Sequence, residues 1–154
     1  MTSPLDRILP KMEATHQKFK AFVSGLDAAA VQQPSAANAW NPREIPSHLV
    51  DAERAHRRFI EAVASGNPPA RLENFDLDAW NAGRIAKRAD QTLAELLAAY
   101  DQERAATIAM LQTLPDDAWE KEGDHPALGH VTVEYVARII GLHERSHLQE
   151  MTGQ

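Results

Sequence analysis

Apolar side chains recur every three or four residues over four long segments of the chain, a period typical of amphipathic helices. The first predicted helix runs from about Pro4 to Ser24, with Ser3 as its N-cap and Gly25 as its stop. Pro10 lies inside this segment, so we expect a kink or a late start there. The apolar face of this helix consists of Leu5, Ile8, Leu9, Met12, Phe19 and Val23.

The second predicted helix opens on Asn41-Pro42-Arg43-Glu44, in which the asparagine caps the helix and the glutamate three residues later completes a capping box. Pro46 lacks an amide hydrogen in the second turn, so we expect local distortion there. The pattern ends near Gly66. The inward stripe consists of Ile45, His48, Ala52, Phe59 and Val63.

Residues 66–90 are the least regular part of the chain, with a short predicted helix from about Asp78 to Arg88. The third long helix opens on Thr92 with a second capping-box sequence, and Pro115 ends it. Its apolar face consists of Leu93, Leu96, Leu97, Tyr100, Ile108, Leu111 and Leu114.

The fourth long helix follows a predicted loop at residues 123–131, is capped by Thr132 and runs to about Met151. We find no strand pattern between the helices. Four amphipathic helices of roughly 18 to 24 residues predict an all-α four-helix bundle. A short extra helix is expected in the connection between the second and third long helices, and we treat residues 1–154 as a single domain.

The composition narrows the functions that such a bundle can have. Sixteen basic residues stand against 22 acidic ones, for a formal net charge of −6, and we see no basic stripe, so nucleic-acid binding is not expected. The chain has no cysteine, so any metal must be bound through nitrogen or oxygen. Neither a signal peptide nor an apolar run of the ~18 residues that a membrane span needs is found, and we expect a cytoplasmic protein without a membrane partner.

The fourth helix carries two histidines in the segment His143-Glu144-Arg145-Ser146-His147. Residues four apart lie on one helix face with their Cβ atoms about 5–6 Å apart, so both imidazoles can reach one ion. Both continue the apolar seam of this helix, and His48 has the same inward position on the second helix. Three imidazoles with one open position are the ligand set of a catalytic rather than a structural zinc site.

Spacing alone does not establish such a site. With seven histidines in 154 residues, two of them fall four residues apart by chance too often for the spacing to be diagnostic of a metal site. The alternative is a set of partly buried histidines bonded to neighbouring carboxylates or helix carbonyls. Burying three polar rings without a shared partner is costly, which favours a metal.

Two segments resemble the DinB-like superfamily. They are Trp40-Asn41-Pro42-Arg43-Glu44-Ile45-Pro46-Ser47-His48-Leu49 and, after a glycine-containing loop with Thr132, His143-Glu144-Arg145-Ser146-His147-Leu148. The pattern of that family is a tryptophan before a helix with one histidine, and a last helix with a histidine pair four apart. The resemblance implies a four-helix bundle that binds a divalent metal.

The resemblance assigns His48, His143 and His147 as the metal ligands, with zinc or nickel as the metal. This sequence departs from the family pattern at two positions beside the ligands. Pro46 precedes the first ligand where a small helix former is more usual, and Glu150 stands where a glutamine commonly follows the pair. These departures affect the surroundings of the ligands rather than the ligands themselves.

The remaining polar candidates are expected to have lesser roles. His16 is predicted at the edge of the core, and His56 lies about 80° around its helix from the predicted ligand, in a flanking position. His125 and His130 are predicted in a solvent-exposed loop with no role. Glu144 is predicted to point off the ligand face.

The leading functional hypothesis is an enzyme that acts on a small-molecule substrate, because an open metal position lowers the pKa of a bound water or thiol. Characterised DinB-like proteins include transferases and isomerases that use low-molecular-weight thiols such as bacillithiol or mycothiol. The resemblance therefore implies a thiol cosubstrate and thiol S-transfer to a small electrophile, with metal-assisted hydrolysis second.

Two alternatives remain open at this point. One is a non-catalytic bundle that binds a metal or a small ligand, as a homodimer in a stress response; it would have a closed coordination sphere and no turnover. The other is a plain bundle whose histidines bind nothing, which predicts a stability that a chelator leaves unchanged.

Overall fold

The structure is a computed structural model that describes residues 2–153. In chain order the elements are α1 (Pro4–Ser24), α2 (Ala28–Val31), α3 (Glu44–Ala64), α4 (Leu77–Lys87), α5 (Leu93–Thr113), a 3₁₀ helix (Asp116–Glu120), β1 (Glu122–His125), β2 (Gly129–Thr132) and α6 (Val133–Thr152). The long helices α1, α3, α5 and α6 form the expected four-helix bundle. None of the helices within residues 2–153 has both the length and the apolarity needed to cross a bilayer.

Capping side chains start three of the four long helices where the sequence predicts. The Ser3 hydroxyl accepts a hydrogen bond from the Asp6 amide, and the Asp6 carboxylate accepts one from the Ser3 amide. Thr92 and Thr132 cap α5 and α6 in the same way through their hydroxyl groups. The expected late start of the first helix does not occur, because α1 is continuous through Pro10.

The second long helix, α3, begins at Glu44, two residues later than the sequence predicts. The expected reciprocal bonds are nevertheless present. Asn41 Oδ1 accepts from the Glu44 amide at 2.9 Å, and Glu44 Oε1 accepts from the Asn41 amide at 3.0 Å. These two bonds fix the turn that leads from Trp40 into the helix.

The packing places the first two long helices diagonally across the bundle. The main neighbour of α1 is α6, whereas α3 packs against α5 and α6. Ile45 near the start of α3 packs in the same apolar cluster as Met151 near the end of α6, so these helices are antiparallel. This arrangement brings the first half of α3 beside the second half of α6, which are the segments that carry the predicted ligands.

A layer of buried polar side chains divides the core into two apolar clusters. The cluster on one side contains Ile8, Met12, Phe59, Ile60, Val63, Leu111, Trp119, Val133, Val136, Ala137 and Ile140. The cluster on the other side contains Phe19, Val23, Ile45, Leu49, Val50 and Tyr100. Each long helix contributes one side chain to the layer between them, namely His16, Glu53, Arg104 and Glu144.

The buried polar layer is held by charge-assisted hydrogen bonds. Arg104 donates to Glu53 at 2.8 Å and to Glu144 at 3.1 Å, and His16 Nδ1 lies 2.7 Å from Glu144. All four residues are at most 5% exposed. The prediction that His16 lies at the edge of the core is therefore wrong. Glu144 is completely buried because the guanidinium and the imidazole compensate its carboxylate.

The predicted loop at 123–131 is instead a β-hairpin, which corrects the expectation of no strand. The two four-residue strands are antiparallel. Glu122 pairs with Thr132 at one end of the hairpin, and His125 pairs with Gly129 at the other. A β-carbon at Gly123 would approach the Val63 side chain to 2.8 Å, so the hairpin packs closely on the end of α3 because this residue is a glycine. This packing buries His125, so the prediction that this residue is exposed to solvent is wrong.

A surface groove of about 970 Å³ lies between α1 and α6. Its lining includes five basic side chains, those of Arg7, Lys11, Lys18, Arg138 and Arg145. No basic stripe is visible in the sequence, because these residues are far apart in the chain and meet only when the two helices pack together.

Candidate metal centre

Three imidazoles face one another between α3 and α6. Nε2 of His143 lies 3.1 Å from Nε2 of His48 and 3.1 Å from Nε2 of His147. One nitrogen from each ring lies within 4.8 Å of the other two. The structure thus brings together the three histidines that the sequence analysis selects as ligands.

The spacing of these nitrogens fits a common metal ion. A zinc–nitrogen bond is about 2.0–2.1 Å long, so two tetrahedral nitrogen ligands lie about 3.3 Å apart and two adjacent octahedral ones about 3.0 Å apart. The two measured separations of 3.1 Å fall between these values. A cation between the rings would bind the lone pairs that otherwise point at one another.

A carboxylate outside the triad sets the tautomer of one ring. Nδ1 of His147 lies 3.0 Å from Glu150 Oε2. An ionised carboxylate only accepts hydrogen bonds, so the proton of the neutral ring is on Nδ1 and the lone pair of Nε2 faces the triad. Glu150 stands where the family commonly has a glutamine, and a carboxylate that bonds the outer nitrogen of a histidine ligand is a common partner in metal sites.

Burial keeps the three rings in the neutral form that binds metals. Desolvation, reinforced by the neighbouring imidazoles, lowers the pKa of His48 to about 3 and that of His143 to about 4. Desolvation also lowers the pKa of His147. The Asn81 amide on α4 lies beside His48 and partly offsets this lowering of the pKa; its oxygen is buried without a hydrogen-bond partner in the described part of the chain.

Trp40 covers one side of the triad. Its ring centroid lies 4.5 Å from that of His48 and 5.9 Å from that of His147. His143 and His147 are only partly buried, so part of the triad is exposed to solvent. The arrangement combines three nitrogen ligands with an accessible face, as an exchangeable ligand position requires.

A second histidine pair lies beside the triad and was not predicted from the sequence. His56 Nδ1 lies 3.0 Å from His125 Nε2, and the two residues are 9% and 8% exposed. His130 on the opposite strand is exposed, as expected. No pattern in the sequence distinguishes the buried His125 from the exposed His130.

The carboxylate of Glu144 is not free to act as a general base at the triad. Glu144 is adjacent to His143 in sequence, but its oxygens are engaged by His16 and Arg104. Three imidazoles suit zinc, nickel, iron and copper. The open face of such an ion polarises an oxygen or lowers the pKa of a bound water or thiol.

Comparison with known sequences gives a profile match and one curated relative. A profile of the DinB superfamily matches residues 11–151. The uncharacterised protein YuaE of Bacillus subtilis (strain 168) is 22% identical over 138 residues, which cover 84% of this chain and 85% of YuaE.

Solved structures share the fold at low identity. YfiT of Bacillus subtilis, described as a probable metal-dependent hydrolase with an unusual four-helix bundle topology, is 20% identical with a TM-score of 0.81, over 96% of this chain and 83% of YfiT. The mycothiol-dependent maleylpyruvate isomerase is 15% identical with a TM-score of 0.79, over 98% of this chain and 63% of the isomerase. The four-helix bundle protein TT2238 is 20% identical with a TM-score of 0.70, over 97% of this chain and 98% of TT2238.

Proposed function

This chain belongs to the DinB superfamily, and from that premise we propose that it is a metal-dependent enzyme that joins a low-molecular-weight thiol, through its sulfur, to a small electrophile. The observation that carries the proposal is the convergence of three neutral imidazole nitrogens, two pairs of them 3.1 Å apart, at a partly accessible site.

In this proposal His48, His143 and His147 hold one divalent ion, zinc or nickel. The bound ion supplies Lewis acidity and lowers the pKa of the thiol or water that occupies its open position. Glu150 fixes the ring of His147, and the Asn81 amide lies beside the ring of His48.

The choice of a thiol rests on two observations. The chain has no cysteine, so a sulfur nucleophile has to come from solution. One protein with the same fold is described as mycothiol-dependent, which supports a thiol cosubstrate here. Metal-assisted hydrolysis is the second candidate, because YfiT is described as a probable metal-dependent hydrolase.

Elemental analysis of the purified protein tests the metal centre. We expect about one divalent ion per chain, because the three imidazoles converge on one point. The His143→Ala/His147→Ala double variant should lose the ion, whereas the His130→Ala variant, altered at an exposed hairpin histidine, should keep it. A double variant with undiminished metal would remove the basis of the proposal.

A panel of thiols and electrophiles then tests the reaction on the metal-loaded protein. S-transfer requires both the metal and the thiol, whereas hydrolysis proceeds without the thiol. The absence of turnover with any pair, together with stoichiometric metal, would support the non-catalytic metal-binding bundle instead.

A further inference from the structure

The buried pair formed by His56 on α3 and His125 on β1 has no part in holding the metal. Nδ1 of His56 and Nε2 of His125 are 3.0 Å apart, and both residues are buried. One of the two nitrogens must carry a proton for this contact to be a hydrogen bond. The hydrogen bonds of His125 within the hairpin identify the nitrogen that carries this proton.

Backbone amides of the hairpin determine the tautomer of His125. Its Nδ1 accepts from the amides of Ala127 at 3.0 Å and Leu128 at 3.2 Å. An amide only donates, so Nδ1 carries no proton and the ring proton lies on Nε2. That proton is donated to Nδ1 of His56, which must therefore be an acceptor. The proton of His56 is in turn left on its own Nε2.

The ring of His56 is a neighbour of the triad. The ring centroid of His56 is 4.9 Å from that of His125 and 6.4 Å from that of His143. Its two nitrogens flank Cε1 and their outward directions diverge widely, so Nε2–H is directed away from His125. This N–H has no hydrogen-bond partner among residues 2–153, and burial of the ring lowers the pKa of His56 to about 3, which keeps it neutral.

We propose that Nε2–H of His56 donates a hydrogen bond to a carbonyl or carboxylate oxygen of the substrate bound at the triad, with His125 as the residue that positions it. This inference rests on the proposed function and narrows its substrate class. The electrophile bears an oxygen acceptor next to the carbon that the thiol attacks. A partly buried donor without an acceptor discriminates against electrophiles that lack such an oxygen.

Histidine tautomers are measured directly by long-range ¹H–¹⁵N spectra of protein labelled with ¹⁵N-histidine. In the metal-free protein we expect His56 and His125 both to carry their proton on Nε2. A proton on Nδ1 of His56 would overturn the inference. A failure of zinc to bind would contradict the proposed function alone, because these spectra do not depend on the metal.

Binding of two small probes to the zinc-loaded protein tests the donor role. Acetate has a second oxygen that can accept from His56, whereas ethanethiol binds a metal through sulfur and has no such acceptor. In the His56→Phe variant we expect acetate to bind about tenfold more weakly, as for a lost hydrogen bond to a charged group. Ethanethiol should change by less than about twofold, because it makes no such bond.

Two further variants separate this role from a structural one. His56→Gln keeps a side-chain N–H donor and should recover most of the acetate affinity, and His130→Phe, altered at an exposed histidine of the same hairpin, should bind both probes as the unaltered protein does. Acetate should also shift the His56 Nε2–H resonance. Equal losses for both probes, or an unshifted resonance with acetate bound, would overturn the proposal.

Discussion

Arg104 on α5 donates to the Glu53 carboxylate on α3 from Nε at 3.0 Å and from Nη2 at 2.8 Å, in the centre of the bundle. The same guanidinium donates to Glu144, which directly precedes Arg145 and directly follows His143 on α6. The polar layer therefore fixes the rotation of α3 and α6 about their axes. These are the helices that hold the triad, so the layer and the candidate metal centre are one structural unit.

Removal of Arg104 should destabilise the protein strongly. The Arg104→Met variant leaves two buried carboxylates without their cation, and such a change costs about 3–5 kcal/mol. Urea denaturation followed by circular dichroism measures this loss. The control is Arg7→Met, which removes an exposed ion pair with Glu134 and should cost about 0–1 kcal/mol.

A compensating triple variant tests the same explanation. Arg104→Met combined with Glu53→Gln and Glu144→Gln removes the uncompensated charges and should be more stable than Arg104→Met alone. If the triple variant is equally unstable, lost packing rather than unpaired charge is responsible.

The long helices and the histidine triad are predictable from the sequence for a physical reason. Apolar residues with a helical period indicate which face is buried, and capping residues such as Ser3 and Thr132 mark where helices begin. His48 and the pair on α6 continue those buried faces, so their convergence follows once α3 and α6 are neighbours. The diagonal placement of α1 and α3 has no signal in the pattern, because it depends on how the connections pack.

The hairpin and the polar layer are not predictable in this way. Strands of four residues are too short to show an alternating pattern, and the hairpin packs against α3 through Gly123, which has no side chain. Glu144 lies on a buried stripe, but a charged residue there is ordinarily exposed unless it is paired. Its partners, His16 and Arg104, come from distant parts of the chain and are known only from the structure.

Gly123→Ala should destabilise the hairpin. The added β-carbon would meet Val63 at 2.8 Å and Phe59 at 3.3 Å, and such overpacking costs about 1–3 kcal/mol. Thermal denaturation should therefore give a lower Tm. The matched control is Gly83→Ala within α4, where nothing lies within 4 Å of the new β-carbon and alanine favours the helix by roughly 0.5–1 kcal/mol. An undiminished Tm for Gly123→Ala would contradict the close packing of the hairpin.

Nickel binding should quench the fluorescence of Trp40. This indole lies 4.5 Å from the His48 ring and 5.9 Å from the His147 ring, measured between centroids. We expect a titration of the metal-free protein with Ni²⁺ to reach its end point at about one equivalent, since three imidazoles form one site. Trp40→Phe should abolish most of the quenching without changing metal content. Quenching that persists in this variant would place the metal near another tryptophan.

The metal-free protein should lose stability as the pH falls from 7 to 5. The pKa of an unperturbed histidine is about 6.5, whereas burial lowers the pKa of His48 and of His56 to about 3. Between these values the unfolded chain binds more protons than the folded one, so stability is fully present above about pH 6.5 and declines as the pH falls towards 3. For each fully buried histidine this loss is on the order of 1–2 kcal/mol at pH 5.

Urea denaturation at a series of pH values measures this slope, and two variants show which histidines cause it. His56→Phe removes one buried group with a lowered pKa, so its stability should decline less between pH 7 and pH 5. His130 has a pKa raised by its hydrogen bonds to Asp124 and Glu122, and its contribution therefore has the opposite sign: it is present at low pH and lost as the pH rises through its raised pKa. His130→Phe should accordingly steepen the decline towards low pH. A slope that neither variant changes would contradict the contributions assigned to His56 and His130.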